Sequence, residues 1–166
     1  EDKKNGTEVL LLTSPVKVTE IVIGKFLASF SVFLVMTAAS LIFPLITIIA
    51  GKPDIMLIIS SYLGYILMGA VFVSLGIFAS SLTENQIVAS IITLVSIFLI
   101  QNIGYLASFF SGFLHKVFLW LSISDRYDDF NKGIIDLTSI VFMVSYAIVF
   151  IVLTVRVIEH KRWSQG

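Results

Sequence analysis

Cysteine is absent from the sequence, and charged residues are scarce. Without cysteine the chain forms neither a disulfide nor a thiolate metal site. Charged side chains make up 13% of the 166 residues, whereas a soluble globular domain carries about 25%. The eleven basic residues balance the eleven acidic ones, and a nucleic-acid-binding domain would normally show a basic excess. We therefore expect no nucleic-acid partner.

Recognisable catalytic and nucleotide-binding motifs are also missing. The sequence has no P-loop, no His-Glu-x-x-His pair and no Gly-x-Ser-x-Gly elbow. Three carboxylates, at Asp125, Asp128 and Asp129, could bind a hard cation, but Arg126 and Lys132 lie among them, which favours a solvated external face. We predict no catalytic residue, no metal and no cofactor in this chain, and hence no enzyme activity of its own.

Apolar residues, by contrast, are abundant. They make up 57% of the chain, and the mean hydropathy is +1.00. Crossing roughly 30 Å of hydrocarbon takes about 20 helical residues, and four uncharged stretches are close to that length or longer, at 26–51, 55–83, 87–114 and 137–155. We predict an all-α integral membrane protein with four transmembrane helices in residues 26–155, an external loop at 115–136 and a polar tail at 156–166.

The distribution of lysine and arginine predicts the orientation, because cytoplasmic loops carry an excess of both. After four crossings, the N-terminal segment, the turn around Glu84 and the C-terminal tail share one side. That side holds seven basic residues: Lys3, Lys4, Lys17, Lys25, Arg156, Lys161 and Arg162. The other side holds four: Lys52, Lys116, Arg126 and Lys132. We therefore expect both ends of this sequence in the cytoplasm, with the spans in the inner (plasma) membrane.

The interiors of the predicted spans contain a few informative residues. Small residues recur at fourth positions between Ser60 and Ser81, which predicts a helix packed inside the bundle. Pro44 predicts a break in the first span, either as a hinge or as a tolerated irregularity. Gln101 and Asn102 form the most polar pair of the third span; they either hold helices together or line a substrate path or dimer seam. No ionisable residue lies deep in a span, which disfavours a proton-coupled transporter.

The first 25 residues form a polar-rich segment around a short apolar run. A charged opening gives way to Leu10-Leu11-Leu12, which Ser14-Pro15 ends, and Glu20 then leads into a helix towards Phe26. This pattern predicts a short amphipathic element on the inner membrane surface.

The run from Gly6 to Phe26 resembles the cytoplasmic segment of type-two ABC exporter permeases. The matching features are Gly-Thr-Glu, a leucine run, Thr-Ser-Pro-Val and Gly-Lys-Phe, and the stretches 76–86, 130–136 and 159–163 are similar to further parts of these permeases. The likeness is nearest to the gliding-motility-associated and copper/nitrous-oxide-related permeases. It implies a coupling helix that docks on a separate ABC ATP-binding subunit, with these contact residues: Gly6, Thr7, Glu8, Leu10, Leu11, Leu12, Ser14 and Pro15.

The resemblance also implies that the four spans are helices three to six of a six-helix permease, with the first two upstream of Glu1. Such a permease forms its pathway with a second copy or a paralogue. Three alternatives stay open from the residues alone: a non-transporting membrane scaffold of a surface or motility machine, an intramembrane enzyme and a secondary transporter. The enzyme is disfavoured because no two residues of a catalytic pair face each other within the spans. The secondary transporter is disfavoured because no internal repeat is evident.

Overall fold

The computed structural model describes residues 17–51 and 53–164, and within these ranges it contains helices and no strand. The described residues form eight helices in chain order: α1 Val18–Ser40, α2 Ile42–Ala50, α3 Ile55–Leu82, α4 Gln86–Gln101, α5 Ile103–Ala107, α6 Phe113–Leu121, α7 Ile123–Asn131 and α8 Leu137–Ser164.

Within residues 17–51 and 53–164, three helical stretches are long and apolar enough to cross a membrane. They are Val18–Ala50, which joins α1 to α2, Ile55–Leu82, and Leu137–Trp163, with 33, 28 and 27 residues. Helix α4 is also apolar, but its 16 residues extend only about 24 Å at 1.5 Å per residue. The chain is thus a multi-pass membrane protein whose first, second and fourth predicted spans correspond to continuous or nearly continuous apolar helices.

Two helices extend beyond the predicted spans 26–51 and 137–155. Helix α1 begins at Val18, close to Glu20, which was predicted to lead into a helix towards Phe26, and α8 continues to Ser164. Helical hydrogen bonding depends on the backbone and does not stop where side chains become polar. At the start of α1, the backbone N–H of Lys17 donates to Oε2 of Glu20 at 3.3 Å, which fixes the first turn.

The predicted third span, 87–114, is not one helix. Helix α4 ends at Gln101, and the chain continues through α5 and a turn in which Gly112 has a φ of 73°. Side chains bind the backbone carbonyls at the point where α4 ends. Nδ2 of Asn102 donates to the Phe98 carbonyl at 2.8 Å, and the Ser124 hydroxyl donates to the Gln101 carbonyl. The region predicted as an external loop, 115–136, is itself largely helical because it contains α6 and α7.

Contacts at the helix ends establish the direction of each helix. Near the start of α3, Oγ of Ser60 donates to the carbonyl of Ile134 just before α8, at 3.4 Å. Near the end of α3, Nζ of Lys161 donates to the carbonyl of Ser81 at 2.8 Å. Helices α3 and α8 are therefore parallel, and α4 to α7 together return the chain to the end of the bundle at which α3 began.

Helix α3 is the central helix, as its small residues predict. Its buried positions follow a 3.6-residue period: Ser60, Gly64, Met68, Val71, Leu75 and Ala79. Two of its glycines make room for aromatic rings, since a Cβ at Gly64 would overlap Phe130 of α7 and a Cβ at Gly69 would overlap Phe33 of α1. Because Phe33 contacts Gly69 while Ser40 contacts the earlier Tyr62, α1 runs antiparallel to α3.

Candidate functional site

The residues predicted to couple to an ATPase, from Gly6 to Pro15, lie outside the described residues. Their role stays a prediction. The structure does fix the element into which this segment leads, because Lys17 is the N-terminal cap of α1 and α1 continues for 23 residues to Ser40.

Gln101 and Asn102, the predicted polar pair, lie side by side where α4 ends, and both are half-buried. The side chain of Asn102 donates to the Phe98 carbonyl of its own helix. Gln101 contributes its backbone carbonyl, which accepts the Ser124 hydroxyl of α7. A bond to a carbonyl of the preceding turn favours a helix end at this point. The pair thus marks the break between α4 and α5, and its part in a pathway or a packing contact stays a prediction.

Beyond this break lies a compact group of short helices, which we name the cap segment (residues 103–131). Its helix α7 packs against the first half of α3 and places Ile123 and Phe130 in the core, where both are 0% exposed. Met68 of α3 and Met143 of α8 belong to the same buried cluster. Met68 lies 13 residues into α3, about 20 Å along the helix axis, so the cap segment reaches well down between the long helices.

An aromatic cluster with one arginine joins the cap segment to α8. The guanidinium of Arg126 lies over the ring of Phe142, with 4.3 Å from Cζ to the ring centroid, and Trp120 meets the same ring edge-on at 5.5 Å. The hydroxyl of Tyr146 donates to the Leu121 carbonyl at 3.3 Å. Within residues 17–51 and 53–164, Nε of Arg126 is buried without a hydrogen-bond partner. These contacts anchor α6 and α7 to α8 by cation–π and edge-to-face packing.

The three carboxylates of the predicted acidic group do not converge. Asp125 and Asp128 are exposed, while Asp129 is half-buried. In the part of the chain that the structure describes, no three His, Cys, Asp or Glu side chains come close enough to hold a metal ion. Another carboxylate, that of Asp136, has a clear structural role just before α8. It accepts a hydrogen bond from the backbone N–H of Thr138 and a weaker one from that of Ser139, and these bonds lower its pKa from the ordinary 3.8.

The break in the first span has a specific partner on α3. Pro44 has no N–H, so the carbonyl four residues earlier, that of Ser40, loses its usual helical donor. The hydroxyl of Tyr62 donates to this carbonyl at 3.1 Å and lies 3.2 Å from Oγ of Ser40. The helix is interrupted at Leu41, three residues before the proline. Sequence reasoning identified Pro44 but missed Tyr62, for which the sequence carries no local signal.

A groove of about 300 Å³ runs between α3, α4 and α8. Among the described residues that line it, Ser96 is the only polar one, and the others are aliphatic or aromatic, including Leu75, Phe78 and Phe150. Phe78 and Phe150 are in contact, with their ring centroids 5.9 Å apart. The groove therefore offers apolar contacts and a single hydroxyl, which suits a hydrocarbon chain better than a polar group.

Comparison with known proteins identifies one family. The sequence model described as "ABC-2 family transporter protein" matches residues 1–162, which is nearly the whole chain. Searches of curated proteins and of solved structures give no significant match.

Proposed function

Since the chain belongs to the ABC-2 family of transporter proteins, we propose that it is the membrane-spanning permease subunit of an ATP-driven exporter and that ATP is hydrolysed on a separate subunit. The family match over residues 1–162 carries this proposal. Three apolar helices long enough to span a membrane support it, because the pathway of a permease must be built from such helices.

The proposed coupling to the ATPase rests on the segment that precedes α1. The predicted docking residues end at Pro15, two residues before the cap residue Lys17, so any displacement of this segment acts directly on the start of α1. A helix of 23 residues transmits a displacement along its axis as a stiff rod, and Phe33, 15 residues after Val18, contacts α3. Motion of a partner subunit can in this way bias a bundle with two packing arrangements.

The proposed topology has four crossings, with the break at Asn102 inside the third. Helices α3 and α8 are parallel, so the chain from Leu82 to Leu137 has to return across the bundle. The end that carries Lys17, Lys161 and Arg162 faces the cytoplasm under this proposal, in keeping with the excess of basic residues there. A second copy or a paralogue completes the pathway in the inner membrane, and the gliding-motility branch is the family relationship that the N-terminal motif favours.

The experiment that tests this function is purification of the full-length protein from native membranes in mild detergent. We expect an ABC ATP-binding subunit to co-purify in near-equal amount. Its reproducible absence from an intact preparation would instead favour the non-transporting scaffold. A scaffold would also leave ATP hydrolysis unaffected by any exported compound, whereas a permease is expected to stimulate it.

A variant tests the coupling segment within the same complex. Replacing Leu10, Leu11 and Leu12 with serine is expected to abolish binding of the ATPase or to uncouple its hydrolysis from transport. Serine at Phe113 and Leu114, which are exposed on α6, is the matched control because it also removes apolar surface, but from the cap segment. Full coupling in the first variant would refute the assignment of residues 6–15.

A further inference from the structure

We propose that a cavity between the start of α1 and the end of α8 binds the phosphate headgroup of an anionic phospholipid. The cavity has a volume of about 730 Å³, and its lining residues are Lys17, Val18, Thr19, Glu159, Arg162 and Trp163. This volume lies within the range of about 300–1,000 Å³ that is typical of small-ligand sites. The proposal depends on the chain's place in a membrane and not on the exporter function.

The charges around the cavity favour an anion. Among the described residues that line it, two are cationic, Lys17 and Arg162, and one carries a carboxylate, Glu159. Glu159 pairs with Arg156, with 3.9 Å between Nη1 and Oε2. This carboxylate therefore has a cationic partner that is not among the described lining residues, and the described lining has a net positive charge. Arginine in particular binds phosphate oxygens through two parallel N–H groups.

The position of the cavity favours a lipid over a soluble anion. Its walls are the ends of two helical stretches long enough to cross a membrane, Val18–Ala50 and Leu137–Trp163, so it lies at the membrane-surface end of these spans. Trp163 is 86% exposed, and tryptophan side chains are enriched at headgroup depth. One turn further into α1, Ile23 is 48% exposed and offers an apolar surface for the acyl chains of the same lipid. Basic pockets between transmembrane helices at the membrane surface are suited to anionic headgroups.

Native mass spectrometry of the purified, delipidated full-length protein tests the site, with phosphatidylglycerol as the anionic probe and phosphatidylcholine as the zwitterionic one. The variant Lys17→Gln/Arg162→Gln removes both cavity charges. One basic side chain near the surface changes the affinity for anionic lipid about 5-fold, so we expect about a 30-fold loss for two. The control Lys116→Gln/Lys132→Gln removes the same total charge from two exposed residues away from the cavity and is expected to bind like the wild type.

Two further arms separate the possible outcomes. The exchange variant Lys17→Arg/Arg162→Lys keeps both charges and is expected to retain binding, which distinguishes loss of charge from loss of folding. Soluble glycerol 3-phosphate identifies the source of the phosphate, and we expect it to compete weakly. The proposal is overturned if phosphatidylcholine binds as tightly as phosphatidylglycerol, if the double glutamine variant binds like its control, or if glycerol 3-phosphate displaces the lipid at equal concentration.

Discussion

The contact between Gly64 of α3 and Phe130 of α7 gives a sharp test of the fold. An alanine Cβ at position 64 would lie 2.6 Å from Cβ and 2.8 Å from Cγ of Phe130. Rotation of the phenyl ring cannot relieve this overlap, because Cβ is fixed to the backbone of α7. The Gly64→Ala variant must therefore push α7, and with it the cap segment, away from α3.

The magnitude follows from two opposing terms. Overpacking a filled core costs about 1–3 kcal/mol, and Phe130 is 0% exposed, so its surroundings have little room to relax. Alanine regains up to about 1 kcal/mol over glycine through its higher helix propensity. Because the site has so little room, the overpacking cost lies in the upper part of that range, at about 2–3 kcal/mol, and the net loss for Gly64→Ala is about 1–2 kcal/mol. For a chain of this size that corresponds to a decrease in Tm of about 2–8 °C.

Thermal unfolding of the purified protein in one detergent, at one scan rate, measures the effect. Gly24→Ala is the matched control on α1, because nothing lies within 4 Å of its added Cβ, and its Tm is expected to be unchanged or slightly raised. If Gly64→Ala unfolds at the same temperature as this control, α7 does not pack on α3 as described.

A double-mutant comparison refines the same prediction. Phe130→Ala retains its Cβ, so it cannot rescue Gly64→Ala. At Gly69, the second glycine of α3 that contacts an aromatic ring, an added Cβ would overlap the far edge of the Phe33 ring instead, and Phe33→Ala removes that edge. We therefore expect Phe33→Ala to offset most of the cost of Gly69→Ala. The contact geometry would be contradicted if removal of the aromatic ring restored stability at both Gly64→Ala and Gly69→Ala, or at neither.

Three further predictions concern polar contacts. Tyr62→Phe is expected to lower stability by about 0.6–1.5 kcal/mol, because it removes the donor to the carbonyl that Pro44 leaves unbonded. The loss should be smaller in a Pro44→Ala background when both are compared by Tm, since only the contact with Oγ of Ser40 is then lost. Lys161→Met removes the hydrogen bond to the last turn of α3 and should increase hydrogen exchange at the ends of α3 and α8 but not at the cap segment. The pKa of Asp136 is lowered, first of all by the backbone N–H of Thr138. The ionised carboxylate therefore stabilises the fold above about pH 4, and this stabilisation is lost as pH falls through the lowered pKa. Asp136→Asn should make Tm less dependent on pH in that acidic range.

Hydropathy was sufficient to predict the long helices but not the interruption of the third span. The interval 87–114 contains no charge, and a hydropathy average does not detect a hydrogen bond between distant residues. The break depends on Ser124, 23 residues after Gln101, whose hydroxyl binds the Gln101 carbonyl. Only the fold brings these residues together.

Helices α6 and α7 were missed for a different reason. The region 115–136 was predicted as a loop, and Asp125, Arg126, Asp128 and Asp129 lie among the apolar residues of α7. Ile123, Tyr127 and Phe130 are spaced four and three residues apart, which is the period of one helical face. This face is the one that packs on the core. A search for helical periodicity in 120–131 would therefore have predicted α7 despite the polar composition.

The distribution of contacts suggests which parts of the bundle stay together under the proposed function. Helices α3 and α8 are joined at one end by Lys161, and α7 is fixed to α3 by Phe130, so these three helices form the firmly packed unit. Helix α1 meets that unit at Phe33 and near Tyr62. Helix α1 also contacts α8, and Val22, near the start of α1, is fully buried. A displacement applied at the start of α1 therefore acts on the packed unit along the length of α1, and the break at Leu41 can absorb the remainder. Loss of the Phe33 contact should thus weaken the coupling between ATP hydrolysis and transport more than it weakens the stability of the packed unit.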